Sequence, residues 1–309
     1  MVFNSDFISR KCLAATVFLL CASLNLAAME KPVVISVYQG PSKNGDFAAN
    51  LNTVREMVKE ALARKSDFLV FPETFLSGYD TPEHVRQGAR RLEDPELAAF
   101  IKESAGHDMV ILAGLARLTD EGIYNTELII YRGSLLGMYD KIMLTGGDRD
   151  RLKFLPGKKL PVFTAHGVRF AVIICHDTSF PHLAMIARLQ GAEVLFTPHY
   201  NSINAQTVDD HRKVVRNCHV GIACQMKMAV VRSNVVVTDI KDEPGYGDSF
   251  IMTPQGEILA GAELFKTELV TATVTPEMFK SPYVWADFKE VPQWVREKLA
   301  GLLIKKDNP

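Results

Sequence analysis

The chain has 309 residues and a formal net charge of −1, with 47% hydrophobic and 23% charged residues, the composition of a globular protein able to bury a sizeable core. It has no sustained basic block and no interleaving of basic and aromatic residues, which excludes nucleic acid as an expected partner. The length admits one large domain or two.

The first 28 residues stand apart. "MVFNSDFISRK" carries two late cations, and "CLAATVFLLCASLNLAA" follows without charge. This is the order of a secretory signal, with Ala27 and Ala28 near a cleavage point. The apolar stretch is slightly short of the ~20 residues that a membrane span needs. Residues 1–28 therefore read as a signal peptide. That predicts a periplasmic or secreted protein whose mature domain makes no stable membrane insertion. A retained anchor is a second reading. A third is translation from Met29, where "MEKPVVISVYQG" opens naturally on a strand, which would leave the protein in the cytoplasm.

Short apolar runs then alternate with amphipathic stretches. "PVVISVYQ" (32–39) and "DFLVFPE" (67–73) predict strands. Between them Leu51, Val54, Val58, Ala61 and Leu62 recur at helical spacing, so 47–64 reads as a helix packed on a sheet. A helix over 95–104 precedes strands at 109–118, 126–132 and 135–141. Then come a strand at 168–175, a helix over 181–190, a strand at 192–198 and a long helix at 206–224. Strands at 227–237, 248–253, 256–260 and 268–274 complete the series. Two strand clusters, each flanked by helices, predict an α/β fold with two facing sheets and helices outside; a single doubly wound sheet is the competing layout. Residues 29–275 read as one catalytic domain. The tail, 276–309, is aromatic and partly helical, and its Trp285, Phe288 and Trp294 need a surface to pack on, in their own chain or a partner subunit.

Beyond the leader the cysteines are Cys175, Cys218 and Cys224. An odd number argues against a disulfide framework. Six helical residues separate the Cα atoms of Cys218 and Cys224 by ~9 Å, too far for a bridge. No Cys/His pairs recur at zinc-site spacing, so no metal is expected.

Three places share one grammar, an apolar strand followed by a reactive side chain and a turn: "LVFPETFLSGY" with Glu73, "GMYDKIML" with Lys141 and "VIICHDTSF" with Cys175. An unaided thiol has a pKa of ~8.5 and needs a base or cation beside it to become a nucleophile. Glu73 can take the proton, and Lys141 can stabilise negative charge on sulfur and on a tetrahedral oxyanion. His176, His182, His199 and His211 fall in the same part of the chain; with no evident orienting partner, they read as lining the pocket or a subunit seam. Tyr79 and Tyr200 are candidate pocket walls.

In these motifs, and in "GAEVLFTP", "HRKVVRNCHVGIACQMKMAVVRSNVV" and "GYGDSFIMTPQGEILA", the chain resembles the nitrilase or carbon–nitrogen hydrolase superfamily over about residues 32–275. The resemblance implies a four-layer αββα sandwich, commonly dimeric, and a Glu-Lys-Cys triad of Glu73, Lys141 and Cys175. It implies attack by Cys175 on an amide or related carbon, with the Lys141 ammonium and the His176 backbone N–H as oxyanion hole, and no cofactor. Two positions depart from the family pattern. Many members carry a second glutamate before the F-x-P-G turn; here Asp150 stands there, with Asp148 close by as a substitute. After the cysteine, Ser179 and His182 replace the usual arginine or aromatic and Pro-Glu. Without the arginine, a substrate carboxylate lacks its natural bidentate partner, which points to a neutral or positively charged aliphatic amide. A nitrilase acting on C≡N and a catalytically silent binding or scaffold protein of the same fold are the alternatives.

Overall fold

In a computed structural model, which describes residues 29–238, 242–280 and 291–304, strand β1 (Val33–Gln39) is the first element. Residues 1–28, which the sequence predicts as a signal peptide, and Trp285 and Phe288 lie outside the described residues. β1 joins β2 (Phe68–Val70), β3 (Val110–Leu118), β4 (Ile123–Tyr131), β5 (Ser134–Asp140), the short β6 (Phe154–Leu155) and β15 (Glu268–Val274) in a seven-stranded sheet. Its order is β15-β1-β2-β3-β4-β5, with β6 on β4. The second sheet has six strands, β7 (Val162–Ala165), β8 (Val168–Val172), β9 (Val194–His199), β10 (Ala229–Asn234), β13 (Phe250–Met252) and β14 (Ile258–Gly261), ordered β14-β13-β10-β9-β8-β7. β11 (Val236–Val237) and β12 (Gly245–Tyr246) form a small separate ribbon.

Side-chain alternation along the strands creates the layers. In the first sheet Val33, Ile35, Val37, Phe68, Val70, Val110 and Leu112 face the second sheet. Leu69, Ile111 and Ala113 turn the other way, onto helices α1 (Phe47–Ala63), between β1 and β2, and α3 (Pro95–Glu103), which follows α2 (Pro82–Gly88) in the connection from β2 to β3. Phe68 bridges the sheets, its ring centroid 5.3 Å from that of Phe170 and 5.4 Å from that of Phe196. Leu183, Ala184 and Ala187 of α4 (Pro181–Leu189) and Ile222, Ala223 and Met226 of α5 (Val208–Met226) close the far side. The fold is thus the four-layer αββα sandwich. Local signals start the helices: Asp46 accepts a hydrogen bond from Ala49 N, and Asp94 caps α3 with Pro95 at its first position.

Two strands are shorter than their apolar runs. "DFLVFPE" leaves the sheet after Val70 because Pro72 has no N–H to donate. "VRFAVIIC" leaves after Val172, and Cys175 turns with φ 46°. Helix α2 and strand β7 lie in stretches without an evident period. After β15 a 3-10 turn, Pro276–Phe279, packs Met278 and Phe279 on the core, and helix α6 (Gln293–Ile304) leaves Trp294 69% exposed. Among the described residues no helix is long and apolar enough to cross a membrane.

Candidate active site

Glu73, Lys141 and Cys175 each follow a strand of the sandwich, β2, β5 and β8 respectively. The Glu73 loop is tied to both sheets: Phe71 N donates to Leu112 O at 3.0 Å, and Glu73 N donates to His199 O at 3.2 Å. Thr74 takes a left-handed φ of 48°, and the turn presses so closely on β3 that a Cβ at Gly114 would lie 2.2 Å from Thr74 N. Only glycine fits there. Lys141 is held through its backbone, with Lys141 N bonded to Asn125 O at 2.9 Å and Gly157 N bonded to Lys141 O at 2.8 Å.

The cysteine turn has its own anchor. Residues Cys175–Ser179 form a 3-10 turn, and buried Asp177 reaches back to accept from Ile174 N at 2.8 Å. The same carboxylate accepts from Tyr139 OH at 2.7 Å and from Met143 N at 2.7 Å. Tyr139 and Met143 flank Lys141, so one side chain fastens the thiol's turn to the lysine's. Burial pushes Asp177 up to about 6 against the pull of these hydrogen bonds.

Lys141 sits between two buried carboxylates, 2.7 Å from Glu73 Oε1 and 2.9 Å from Asp148 Oδ2. Asn125 Nδ2 donates to Glu73 Oε1 at 2.7 Å, and the backbone N–H of Tyr200 donates to Glu73 Oε2 at 2.8 Å. Burial raises Glu73 above the ordinary carboxylate range despite the Lys141 charge that lowers it. Burial also opposes the charge on Lys141, but the carboxylates of Glu73 and Asp148 outweigh it and hold the ammonium well above its usual range. For Asp148 burial is overcome by Lys141 and by hydrogen bonds from Tyr79, Lys141 and Thr145, and the carboxyl is lowered. The sulfur of Cys175 lies within the field of all three: burial and then Glu73 raise the thiol, while Lys141 and the backbone amide of Tyr200 draw it back. Asn201 Nδ2 adds a donor 3.5 Å from Sγ. A thiol beside a buried carboxyl group and a fixed ammonium can pass its proton to that carboxyl when it is ionised, and the oxygen that becomes charged in the attack then meets a cation.

The aspartate at the lysine is Asp148, not Asp150. A π-turn over Gly147–Arg151 points Asp148 inward and leaves Asp150 exposed, paired at 3.0 Å with exposed Arg149. Tyr79 belongs to the site through its hydroxyl, which donates to Asp148 Oδ1, and its ring lies 5.9 Å from Lys141 Nζ. Tyr200 contributes its backbone, and its ring packs 5.0 Å from that of Tyr79. His176 is half-buried on the cysteine turn, edge-on to Phe180. His199 is a core residue: its Nδ1 bonds Thr197 O at 2.8 Å, and burial holds it well below the usual range. His211 bonds the Tyr246 hydroxyl at 3.0 Å, and His182 is exposed on α4. Cys218 and Cys224 are free thiols on α5.

Asn125, Asp177 and Asn201 complete the site without having been singled out from sequence. Asn125 and Asp177 have a signal in retrospect, a polar residue at an inward register of β4 and one inside the cysteine motif; Asn201 has none. Glu127, also on β4, is a buried carboxyl pushed well up by burial and by Glu73.

A thiol at a strand end, beside a buried carboxylate–ammonium–carboxylate row between two facing sheets, defines a cysteine-dependent hydrolase of carbon–nitrogen bonds. The chain belongs to the Carbon-nitrogen hydrolase family, whose model matches residues 34–282, and it is an enzyme of that family. It is 29% identical over 235 residues to a glutamine-dependent NAD(+) synthetase of Thermotoga maritima, covering 74% of this chain but only 39% of that protein. It is 26% identical over 225 residues to an (R)-stereoselective amidase of Pseudomonas sp, covering 73% of this chain and 79% of the amidase. In three dimensions it resembles the carbon-nitrogen hydrolase of Helicobacter pylori G27 with a TM-score of 0.71 at 20% identity, over 80% of this chain and 91% of that one.

Proposed function

We propose that this enzyme hydrolyses a linear aliphatic amide, neutral or positively charged, through a thioester on Cys175 with release of ammonia or an amine. The observation that carries the reading is the 2.7 Å contact between Lys141 Nζ and Glu73 Oε1, both fully buried, whose charges act on the Cys175 sulfur. Glu73 takes the thiol proton as sulfur bonds to the carbonyl carbon, and the C=O π pair moves onto oxygen. That oxyanion is met by the Lys141 ammonium and by the His176 N–H in the first turn of a 3-10 segment, where amides lack partners within the helix. Glu73 then protonates the nitrogen, the C–N bond breaks, and a thioester remains. Water gives its proton to Glu73 as its oxygen adds to the thioester carbon; the departing sulfur recovers that proton, and the acid leaves. A carboxyl raised by burial suits this alternation between base and acid.

The substrate class is supported by three observations. Ser179 and His182 are exposed and place no guanidinium after the nucleophile, which favours an amide over an N-carbamoyl amino acid. A cavity of about 280 Å³ lies along the segments that follow Lys141 and Cys175, lined by Ile142, Met143, Leu144, Pro156, Phe180 and Arg149, whose guanidinium is paired with Asp150; its mostly apolar walls suit an aliphatic chain. The resemblance to an amidase points the same way. A homodimer is part of the proposal: Ile186 and Leu189 on α4 and Val214 on α5 are exposed apolar residues, a surface that a second copy would cover.

The test is ammonia release across aliphatic amides, the matching nitriles and carbamoyl compounds, with Cys175→Ala as control. The expected result is turnover of amides by the native chain and none by the variant. Faster turnover of nitriles or carbamoyl amino acids would overturn the substrate class, and full activity of Cys175→Ala would overturn the mechanism.

A further inference from the structure

We infer that Asn201 is a second catalytic contact on the nucleophile, its carboxamide locked by Arg232 so that its N–H side faces Cys175 Sγ and supports the thiolate as it forms. The inference rests on the reading of Cys175 as the nucleophile.

Arg232, from β10, is the largest fully buried side chain among the described residues. Its Nη1 donates to Gly247 O at 2.8 Å and to Asp248 O, and its Nη2 donates to Asn201 Oδ1 at 2.7 Å and to Tyr246 OH at 3.3 Å. These partners are carbonyls, an amide and a phenol; no carboxylate is among them. Among the described residues no carboxylate pairs with this cation and its Nε has no partner; a buried charge of this kind is costly, and its Nη2 connects it to the active site.

Asn201 is that connection. Its Oδ1 accepts the hydrogen bond from Arg232 Nη2 and also lies 3.4 Å from the Tyr246 hydroxyl. Flipping the amide would set its NH₂ against a guanidinium that can only donate, so the orientation is fixed. The Nδ2 that remains donates to Cys175 Sγ at 3.5 Å. The backbone is held too: Asn201 N donates to Asn234 Oδ1 at 2.8 Å, and Asn234 Nδ2 donates to Gly247 O at 2.6 Å. A charge deep in the second sheet thus polarises an amide aimed at the reacting sulfur.

The sulfur is faced by Glu73 from the loop after β2, Lys141 after β5, Asp148 from the π-turn and the Tyr200 amide after β9. Behind Asn201 stand Arg232, Tyr246 and His211, the last bonded to the Tyr246 hydroxyl at 3.0 Å. The Asp248 carboxylate lies further back, paired with Arg212 and Arg216 of α5. When the thiol proton passes to Glu73, sulfur gains the negative charge and the Asn201 contact becomes charge-assisted. Asn201 itself exchanges no proton.

The test uses Asn201→Asp and Asn201→Ala in the full chain. The aspartate keeps the shape and an acceptor for Arg232, but it cannot donate to sulfur while ionised and adds a negative charge. Alkylation of Cys175 by iodoacetamide is followed against pH by mass spectrometry, with Cys218 and Cys224 as internal references and thermal unfolding as the check on folding. Asn201→Ala is expected to alkylate about tenfold more slowly at fixed pH, its profile moved up by about one pH unit, the scale of one hydrogen bond to a charged group. Asn201→Asp is expected to be slower still while melting like the native chain. A folded Asn201→Asp that alkylates at the native rate would overturn the inference, since a purely structural asparagine would tolerate the exchange. Cys175→Ala separates the two readings: if it still hydrolyses amide, the nucleophile assignment fails, whereas its inactivity beside a fully reactive Asn201→Asp sinks this inference alone.

Discussion

Asp148 Oδ2 lies 2.9 Å from Lys141 Nζ, and solvent reaches neither side chain. The lysine therefore answers to two carboxylates, and its position depends on both. Asp148 also receives the Tyr79 hydroxyl and both the N–H and the hydroxyl of Thr145. We predict that Asp148→Asn lowers kcat/KM by at least ~100-fold and stability by about 3 kcal/mol, the scale of a broken buried pair. Asp150→Asn, which touches only an exposed surface pair, should stay within about 0.5 kcal/mol of the native chain and keep its activity. Steady-state kinetics and thermal melts on the two variants decide this; comparable damage from both would contradict it.

The pH–rate profile should follow Glu73. Below its midpoint the base is already protonated and cannot accept the thiol proton, so the rate falls with pH. Burial has raised that midpoint above the usual carboxylate range, so the acid limb of kcat/KM should lie above ~4.5. Lys141 is held well above its ordinary range, so loss of the ammonium should not limit the rate below about pH 10. An acid limb centred below pH 4 would argue against Glu73 as the base.

Asp177 joins the turns that carry Cys175 and Lys141. Asparagine would retain one carbonyl oxygen but set an NH₂ against Met143 N, or against Ile174 N and Tyr139 OH. We expect Asp177→Asn to cost about 2–3 kcal/mol, from buried donors left without acceptors. Its folded pKa is raised to about 6 from an ordinary ~3.9, so between those values the native state binds more protons than the unfolded chain. This group's contribution to native stability therefore falls as pH rises through that window. The stability gap between native chain and variant should be wider at pH 4 than at pH 7, as denaturant titrations at the two values would show. A gap that widens with pH would refute the assignment.

Gly114→Ala tests how closely the Glu73 loop must approach β3. The new Cβ would lie 2.2 Å from Thr74 N, so the loop has to move. Overpacking of this kind costs about 1–3 kcal/mol, and the displacement falls one residue from Glu73. A melt lowered in proportion, with kcat reduced more than KM is raised, is the expected outcome. Unchanged kinetics would mean that the loop adapts without moving its carboxylate.

Most of the sandwich was legible before folding because its information is local. Helix α1 was expected over 47–64 and spans Phe47–Ala63, and the last strand was expected over 268–274 and spans Glu268–Val274; a period of 3.6 or 2 declares such elements. Helix α2 and strand β7 were not legible, being too short to show a period. The strand carrying Cys175 ends three residues before it, because the turn is imposed by Asp177 and a left-handed φ rather than by apolar character.

By itself, then, the amino-acid order determined where most helices and strands lie and the identity of a carboxylate, an ammonium and a thiol placed after strands. It left two facing sheets and one doubly wound sheet both open; the pairing of the strands into two sheets came from the fold. Tertiary structure decided which aspartate meets the lysine, since Asp148 and Asp150 stand in the same polar stretch and only the π-turn separates them. It also decided the partners: Glu73 meets Lys141 across 68 positions and Tyr200 across 127, and Asn201 acquires its place at the sulfur from Arg232. Chain periodicity reports whether a side chain faces in or out, whereas a buried polar group's partner depends on which distant segments folding brings within hydrogen-bond reach.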